Sequence, residues 1–127
     1  MAYGGVEALL IPAGTTVLGV RFATDVPADL ATAVPFVQLV RVGGPSDDND
    51  RRFEQATVSV DSFAVDRVSA TALAYRVDSW LRSLPNTGTP DAVITKVQTL
   101  TGPSWRPWED VAVRRIGASY RIHLHHR

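Results

Sequence analysis

Cysteine is absent from the 127 residues. That absence excludes a disulfide framework, a thiolate metal site and a cysteine nucleophile together. It says nothing about redox compartment, because a cysteine-free chain folds in either. Lysine is almost absent too: Lys96 stands alone, and the other basic residues are arginines. Arginine suits fixed bidentate contacts at an interface, although a GC-rich genome gives the same bias. No stretch approaches the ~20 apolar residues that span a bilayer, so no membrane partner is expected. The opening MAYGGVEALLIPAG lacks the basic segment of a secretory signal. Catalytic signatures are missing as well. There is no G-x-G-x-x-G, P-loop, H-E-x-x-H or G-x-S-x-G. Gly43-Gly44 precedes a polar segment and not a helix, so it is no phosphate cradle. No enzyme activity and no cofactor are expected.

What is present is globular. Hydrophobic residues make up 45% and charged residues 20%, values of a folded chain and not of a disordered one. The length suits a single domain over residues 1–127, burying roughly two-thirds of its unfolded surface around one core. The net charge of +0 hides an asymmetry. Residues 1–64 carry Glu7, Asp25, Asp29, Asp47, Asp48, Asp50, Glu54 and Asp61 against Arg21, Arg41, Arg51 and Arg52. Residues 65–127 are net basic. The asymmetry fits either a domain with mixed faces or a self-assembling subunit whose acidic face meets a neighbour's basic one.

Apolar periodicity sets the elements. The residues around Val6, Leu9, Leu10 and Ile11 read as a short helix stopped by Pro12 and Gly14. Thr15 to Ala23 reads as a strand, as do Phe36 to Val42, Ala56 to Ala64 and Asp91 to Thr101. The 25–33 segment lies between prolines and reads as a loop or one helical turn. Asp66 to Leu84 is a helix with Asp66 as N-cap, and Leu73, Val77, Trp80 and Leu81 lie on its apolar face. In the last strand Ile116, Ala118, Tyr120, Ile122 and Leu124 share one face. Val111 and Val113 have the opposite parity, which a bulge near Arg114-Arg115 would reconcile. The expected fold is α+β: a mostly antiparallel sheet of about five strands, one long helix packed on one face, and a short N-terminal helix.

Few residues invite chemistry. His123 and His125 could share a metal, but no Asp, Glu or Cys lies nearby in sequence to complete a site, and solvent-facing positions on a terminal strand account for them. Asp47-Asp48-Asn49-Asp50 lacks the alternation, glycine and distal glutamate of a calcium loop. This run, with Arg51 and Arg52, must be solvated or paired with a partner. Trp105 and Trp108 in a proline-bounded loop could stack bases, yet Glu109-Asp110 beside them would repel phosphate, so packing against the domain or a neighbouring subunit suits them better. Arg114 and Arg115 could meet phosphates or a neighbour's acidic segment.

A family resemblance joins these pieces. Pro35-Phe36-Val37-Gln38-Leu39-Val40-Arg41-Val42-Gly43-Gly44, an acidic break, then Thr57-Val58-Ser59-Val60-Asp61-Ser62-Phe63-Ala64 resembles the front half of tail terminator proteins of phages infecting actinobacteria. Trp80-Leu81 in an Ala-rich helix, Gly102-Pro103-Ser104-Trp105-Arg106-Pro107-Trp108, Val113-Arg114-Arg115 and Ala118-Ser119-Tyr120 follow in the same order. The resemblance runs from about Val26 to Leu124. It implies an α+β subunit of a homo-oligomeric ring, usually a hexamer. Such a ring caps the tail tube at its final length and joins the tail to the head-side connector or stopper protein. Its other neighbour is the major tail tube protein, and DNA crosses the lumen without sequence-specific binding. The interface expected from charge is Arg114, Arg115 and Arg121 against a neighbour's Asp47, Asp48 and Asp50, with Arg51, Arg52, Trp105 and Trp108 as further contacts. Another neck or tail-tube subunit, or a small ligand-binding α+β domain, are the alternatives.

Overall fold

A computed structural model of the chain describes residues 5–43, 53–108 and 112–126. In chain order the elements are α1 (Gly5–Leu18), β1 (Arg21–Ala23), α2 (Leu30–Ala33), β2 (Phe36–Gly43), β3 (Phe53–Ala64), α3 (Arg67–Arg82), β4 (Thr87–Gly88), β5 (Ala92–Arg106) and β6 (Arg114–His126). The strands form one sheet ordered β1-β2-β3-β6-β5-β4. β1 and β2 run parallel and every other neighbouring pair antiparallel. The fold is thus α+β with a mixed six-stranded sheet, one strand more than expected.

The sheet is organised by β3 and β6. Their register is unbroken from Phe53↔His125 to Ala64↔Arg114. With side chains alternating across the pleat, Ala56, Val58 and Val60 share a face with Ile116, Ala118, Tyr120, Ile122 and Leu124. All of these are buried. α3 lies on this face, presenting Leu73, Val77, Trp80 and Leu81, at most 7% exposed. The small residues Ala70 and Ala74 let the start of α3 approach Ala64 and Ile116. Its first turn is capped as its sequence suggests: the Asp66 carboxylate accepts from Ser69 N at 2.7 Å.

The unbroken register means that there is no bulge at Arg114-Arg115. The opposite parity of Val113 has another cause. Val113 joins Leu30, Phe36 and Phe63 in a second small core on the other side of the sheet. The irregularities fall on β5, between Ile94 and Lys96, Thr99 and Thr101, and Thr101 and Ser104. β5 also continues through Gly102-Pro103, which were expected to end it. Pro103 can be accommodated because it sits within a register shift, on a strand that β4 flanks only at Val93 and Ile94.

The N-terminal region departs furthest from expectation. α1 runs through Pro12 to Leu18, and β1 has only three residues. Propensity puts β-branched Thr15-Thr16-Val17 in a strand, but the preference is only tenths of a kcal/mol per residue. Tertiary contacts outweigh it. Val6, Leu10, Ile11 and Gly14 are buried, and Gly14 faces Phe22 so closely that a Cβ there would sit 2.8 Å from the ring. Thr15 Oγ1 donates to Ile11 O (3.0 Å) and accepts from Phe22 N (3.2 Å), tying α1 to β1. The helix ends at Gly19, whose φ of +67° suits glycine and whose N donates to Thr15 O at 3.1 Å.

One polar bridge crosses the main core. Tyr120 Oη donates to Asp78 Oδ1 at 2.7 Å, and Asp78 Oδ2 accepts from Arg82 Nε at 3.0 Å. Burial, then the bond and charge of Asp78, push the Tyr120 phenol above its ordinary 10.0. A raised phenol stabilises the fold fully below that ordinary value, and the contribution is lost as pH climbs above it, because the unfolded chain ionises first. Denaturant titrations between about pH 9 and 11 should therefore show stability falling with pH. Tyr120→Phe should cost about 1–2 kcal/mol at neutral pH and flatten that slope. A slope unchanged by the substitution would assign the alkaline loss to another group.

No helix among the described residues is long and apolar enough to cross a membrane.

Candidate functional site

The sheet face away from α1 and α3 follows a different rule. At one end a row of paired residues crosses five strands: Arg21, Phe36, Phe63, Arg115 and Arg106. Phe36 and Phe63 are fully buried there beneath Leu30 of α2 and Trp108. The arginines flank them. Arg21 lies over the Phe36 ring at 5.7 Å. Arg115 lies over Trp108 at 4.9 Å and donates from Nη2 to Pro107 O at 3.0 Å. Trp108 in turn meets Phe63 edge-on at 5.1 Å. Aromatic support and a backbone bond hold Arg115 in one pose.

The next row is Ala23, Gln38, Asp61, Gly117 and Ser104. Arg106 reaches across Gly117 to bring Nη1 to 3.5 Å from Asp61 Oδ1. A Cβ on Gly117 would lie 2.5 Å from both Arg106 Nε and Asp61 Oδ1, so this close crossing requires glycine. Asp61 is 8% exposed. Burial raises its carboxyl pKa, opposed by the charges of Arg115 and then Arg106. Its Oδ1 is in ion-pair range of Arg106 but has no hydrogen-bond partner. Among the described residues, the other buried side-chain atoms without one are Arg115 Nε, Arg121 Nε and His123 Nε2. By strand alternation all four belong to this face.

Further along come Ser59, Ser119 and Thr101, then Thr57, Arg121 and Gln98, then Gln55, His123 and Lys96. Burial, with Lys96 and Arg121 nearby, holds the His123 imidazole pKa below its ordinary value. Among the described strand residues, Asp61 is the sole carboxylate directed to this face, against Arg21, Lys96, Arg106, Arg115 and Arg121. Glu54 belongs to the opposite face, where it pairs with Arg41 and with His126 Nε2.

The structure separates several residues that sequence placed together. Arg114 pairs with Ala64 and belongs to the α3 side, while Arg115 and Arg121 lie on the opposite face. Trp105 and Trp108 part in the same way. Trp105 is on β5, not in a loop, 47% exposed with Arg67 over its ring at 5.5 Å. Asp47, Asp48, Asp50, Arg51 and Arg52 lie outside the described residues, as do Glu109, Asp110 and Val111. The histidines have separate surroundings: His125 stacks on Phe53 at 4.8 Å, and His126 meets Glu54. No group of metal-ligating side chains occurs among the described residues. Neither charge nor a chemical motif singles out Asp61, Arg106 or Gly117 as site residues in the sequence. A glycine inside an otherwise alternating strand signals close approach of another group, and Gly117 carries that signal.

A groove of about 550 Å³ between α1 and α3 is lined by Val17, Leu18, Tyr75 and Trp80, with Arg76 as its charged member. Arg76 is engaged, donating from Nη2 to Leu18 O at 2.9 Å. The groove therefore offers no acid–base pair. The opposite sheet face thus combines fixed cations, Arg115 and Arg21, with aromatic supports.

The chain belongs to the family described as phage tail termination protein, whose profile matches residues 3–127. This is a structural family, and its members are located in the tail of the virion. No curated protein matches the sequence. Among solved structures, a chain of the virion of a native gene transfer agent particle is similar in fold. Its TM-score is 0.55 at 20% identity, over 94% of this chain and 88% of that one.

Proposed function

We propose that the chain forms a ring, hexameric as in the resemblance noted above, that caps the tail tube at its final length. The same ring joins the tail to the head-side connector, and DNA crosses its lumen without being gripped. The observation that carries this reading is the family match over residues 3–127. The cation-bearing sheet face supports it, since a subunit that contacts copies and neighbours on several sides needs fixed polar surface beyond its core. The likeness to a chain of a gene transfer agent virion agrees with it.

Electron microscopy of the purified protein, alone at assembly concentrations and with tail tubes, tests the reading. Closed rings, and rings seated on tube ends, are expected. A strict monomer under both conditions would overturn it. So would tubes of normal length in a phage lacking the protein.

A further inference from the structure

The face described above carries a surplus of positive charge that the described strands do not balance. The chain's densest run of carboxylates, Asp47, Asp48 and Asp50, lies in the 44–52 segment joining β2 to β3. We propose that the Arg106–Arg115 end of this face receives the 44–52 segment of a second copy of the chain, in a head-to-tail contact. The proposal rests on the ring reading and names the residues through which one subunit would engage the next.

Reach decides between a contact within one chain and a contact between chains. Asp48 lies midway between Gly43 and Phe53. Its Cα can stand no more than about 18 Å from Phe53, even if the intervening chain is fully extended. Arg115 pairs with Phe63, and the distance from Phe53 to Phe63 along β3 is about 33 Å at ~3.3 Å per residue. A gap of about 15 Å remains, more than the two side chains bridge. Arg115 cannot swing to shorten it without leaving Trp108 and Pro107 O. Asp48 and Asp50 of a chain, the latter closer still to Phe53 in sequence, therefore cannot reach the Arg115 of that chain, but a neighbour's can.

The chemistry matches. Arg106 and Arg115 stand on adjacent strands in one row, with Asp61 of the next row as the one counter-charge among the described strand residues. The ring of Trp108 pre-orients Arg115, which reduces the ordering cost of binding a carboxylate. Fixed guanidinium forks suit carboxylates that dock once and stay. They suit sliding DNA poorly, since each phosphate contact adds to the grip. The two patches also sit at opposite ends of β3 and are not alike. A contact between unlike patches is heterologous, and heterologous contacts close into a ring when the rotation from one subunit to the next closes.

The absence of native cysteine makes the test direct. Asp48→Cys and Arg115→Cys chains are mixed under oxidising conditions and run on a denaturing gel without reductant. A linked two-chain species is expected, and a chain bearing both substitutions should give a ladder of linked copies. Pairing Asp48→Cys with Asp91→Cys, on an exposed turn far from the row, should give at least about tenfold less product. Arg106→Cys serves in place of Arg115→Cys should the latter melt early. The same samples are viewed by electron microscopy. Rings without cross-links, or cross-links confined within single chains, overturn this inference and leave the ring reading standing. Rings that persist in Arg115→Glu while tube or DNA binding is lost also overturn it, and reassign the face to those partners. Absence of rings in the unsubstituted protein removes both proposals.

Discussion

Trp80→Ala is expected to destabilise the fold by about 3–5 kcal/mol, the usual cost of emptying a buried aromatic site. Trp80 is 7% exposed and meets Phe22 edge-on, with ring centroids 5.7 Å apart and planes at 74°. It connects α3 to β1, the short strand at the edge of the sheet. It also lines both the α1–α3 groove and a neighbouring cavity of about 220 Å³ beneath α1. Truncation would leave Phe22 without its partner and enlarge both spaces. α1 would then lose part of the packing beneath Leu10, Ala13 and Val17. For a chain of this length the melting temperature should fall by on the order of 10–20 °C. Thermal unfolding followed by circular dichroism checks the value. A shift of only one or two degrees would mean that the site collapses onto the lost volume, or that Trp80 contributes little to the α1–α3 contact.

Gly117→Val is the second large effect expected, and it acts on the opposite face. The new side chain would occupy the space in which Arg106 crosses β6 to meet Asp61. Arg106, about a third exposed, can swing into solvent, but Asp61 would remain buried with a weaker counter-charge. Breaking a buried pair in this way costs about 3–5 kcal/mol when neither group can escape. Because Arg106 can, roughly 2–3 kcal/mol is the expected loss near neutral pH. Asp61 already has a raised carboxyl pKa from burial, and loss of Arg106 should raise it further. A raised carboxyl means that the folded state holds its proton more tightly than the unfolded chain does. The deficit should therefore be full at neutral pH and shrink as pH falls toward the ordinary value of 3.8. Urea titrations of the variant and the unsubstituted chain at pH 7 and near pH 4 compare the two conditions. An equal deficit at both would show that crowding of the backbone, and not the stranded carboxylate, causes the loss.

These predictions differ in how far the sequence alone could have led to them. The face of α3 was readable because its apolar residues recur at helical spacing and Asp66 marks its start. A short-range pattern of that kind survives in any packing that buries one side. The apolar face of β6 was readable for the same reason, at period two. Val113 shows where such reading stops. Its parity departs from that of the β6 face, and one-face alternation can explain this only by a bulge, because it assumes one core. The cause is a second core, made with Leu30, Phe36 and Phe63 from distant parts of the chain. The candidate contact face was less legible still. Arg115 and Arg121 were singled out by charge, but so was Arg114, which the register places on the other side. Gly102-Pro103 has the composition of a strand terminator, which by sequence places Arg106 in a loop.

Local pattern by itself determined the fold class, the long helix with its cap, most of the strands and the absence of catalytic signatures, since all of these depend on neighbours a few residues apart. Tertiary structure decided three things. It kept α1 helical through Pro12 and β-branched Thr15-Thr16-Val17, because burial against Phe22 outweighs a weak propensity. It carried β5 through Pro103, because register shifts remove the ladder bond that proline would break. It also brought Asp61, Arg106, Arg115 and Gly117 together from three strands. That proximity follows from sheet register, and register is a property of how strands pair across the whole fold, which no window of sequence contains.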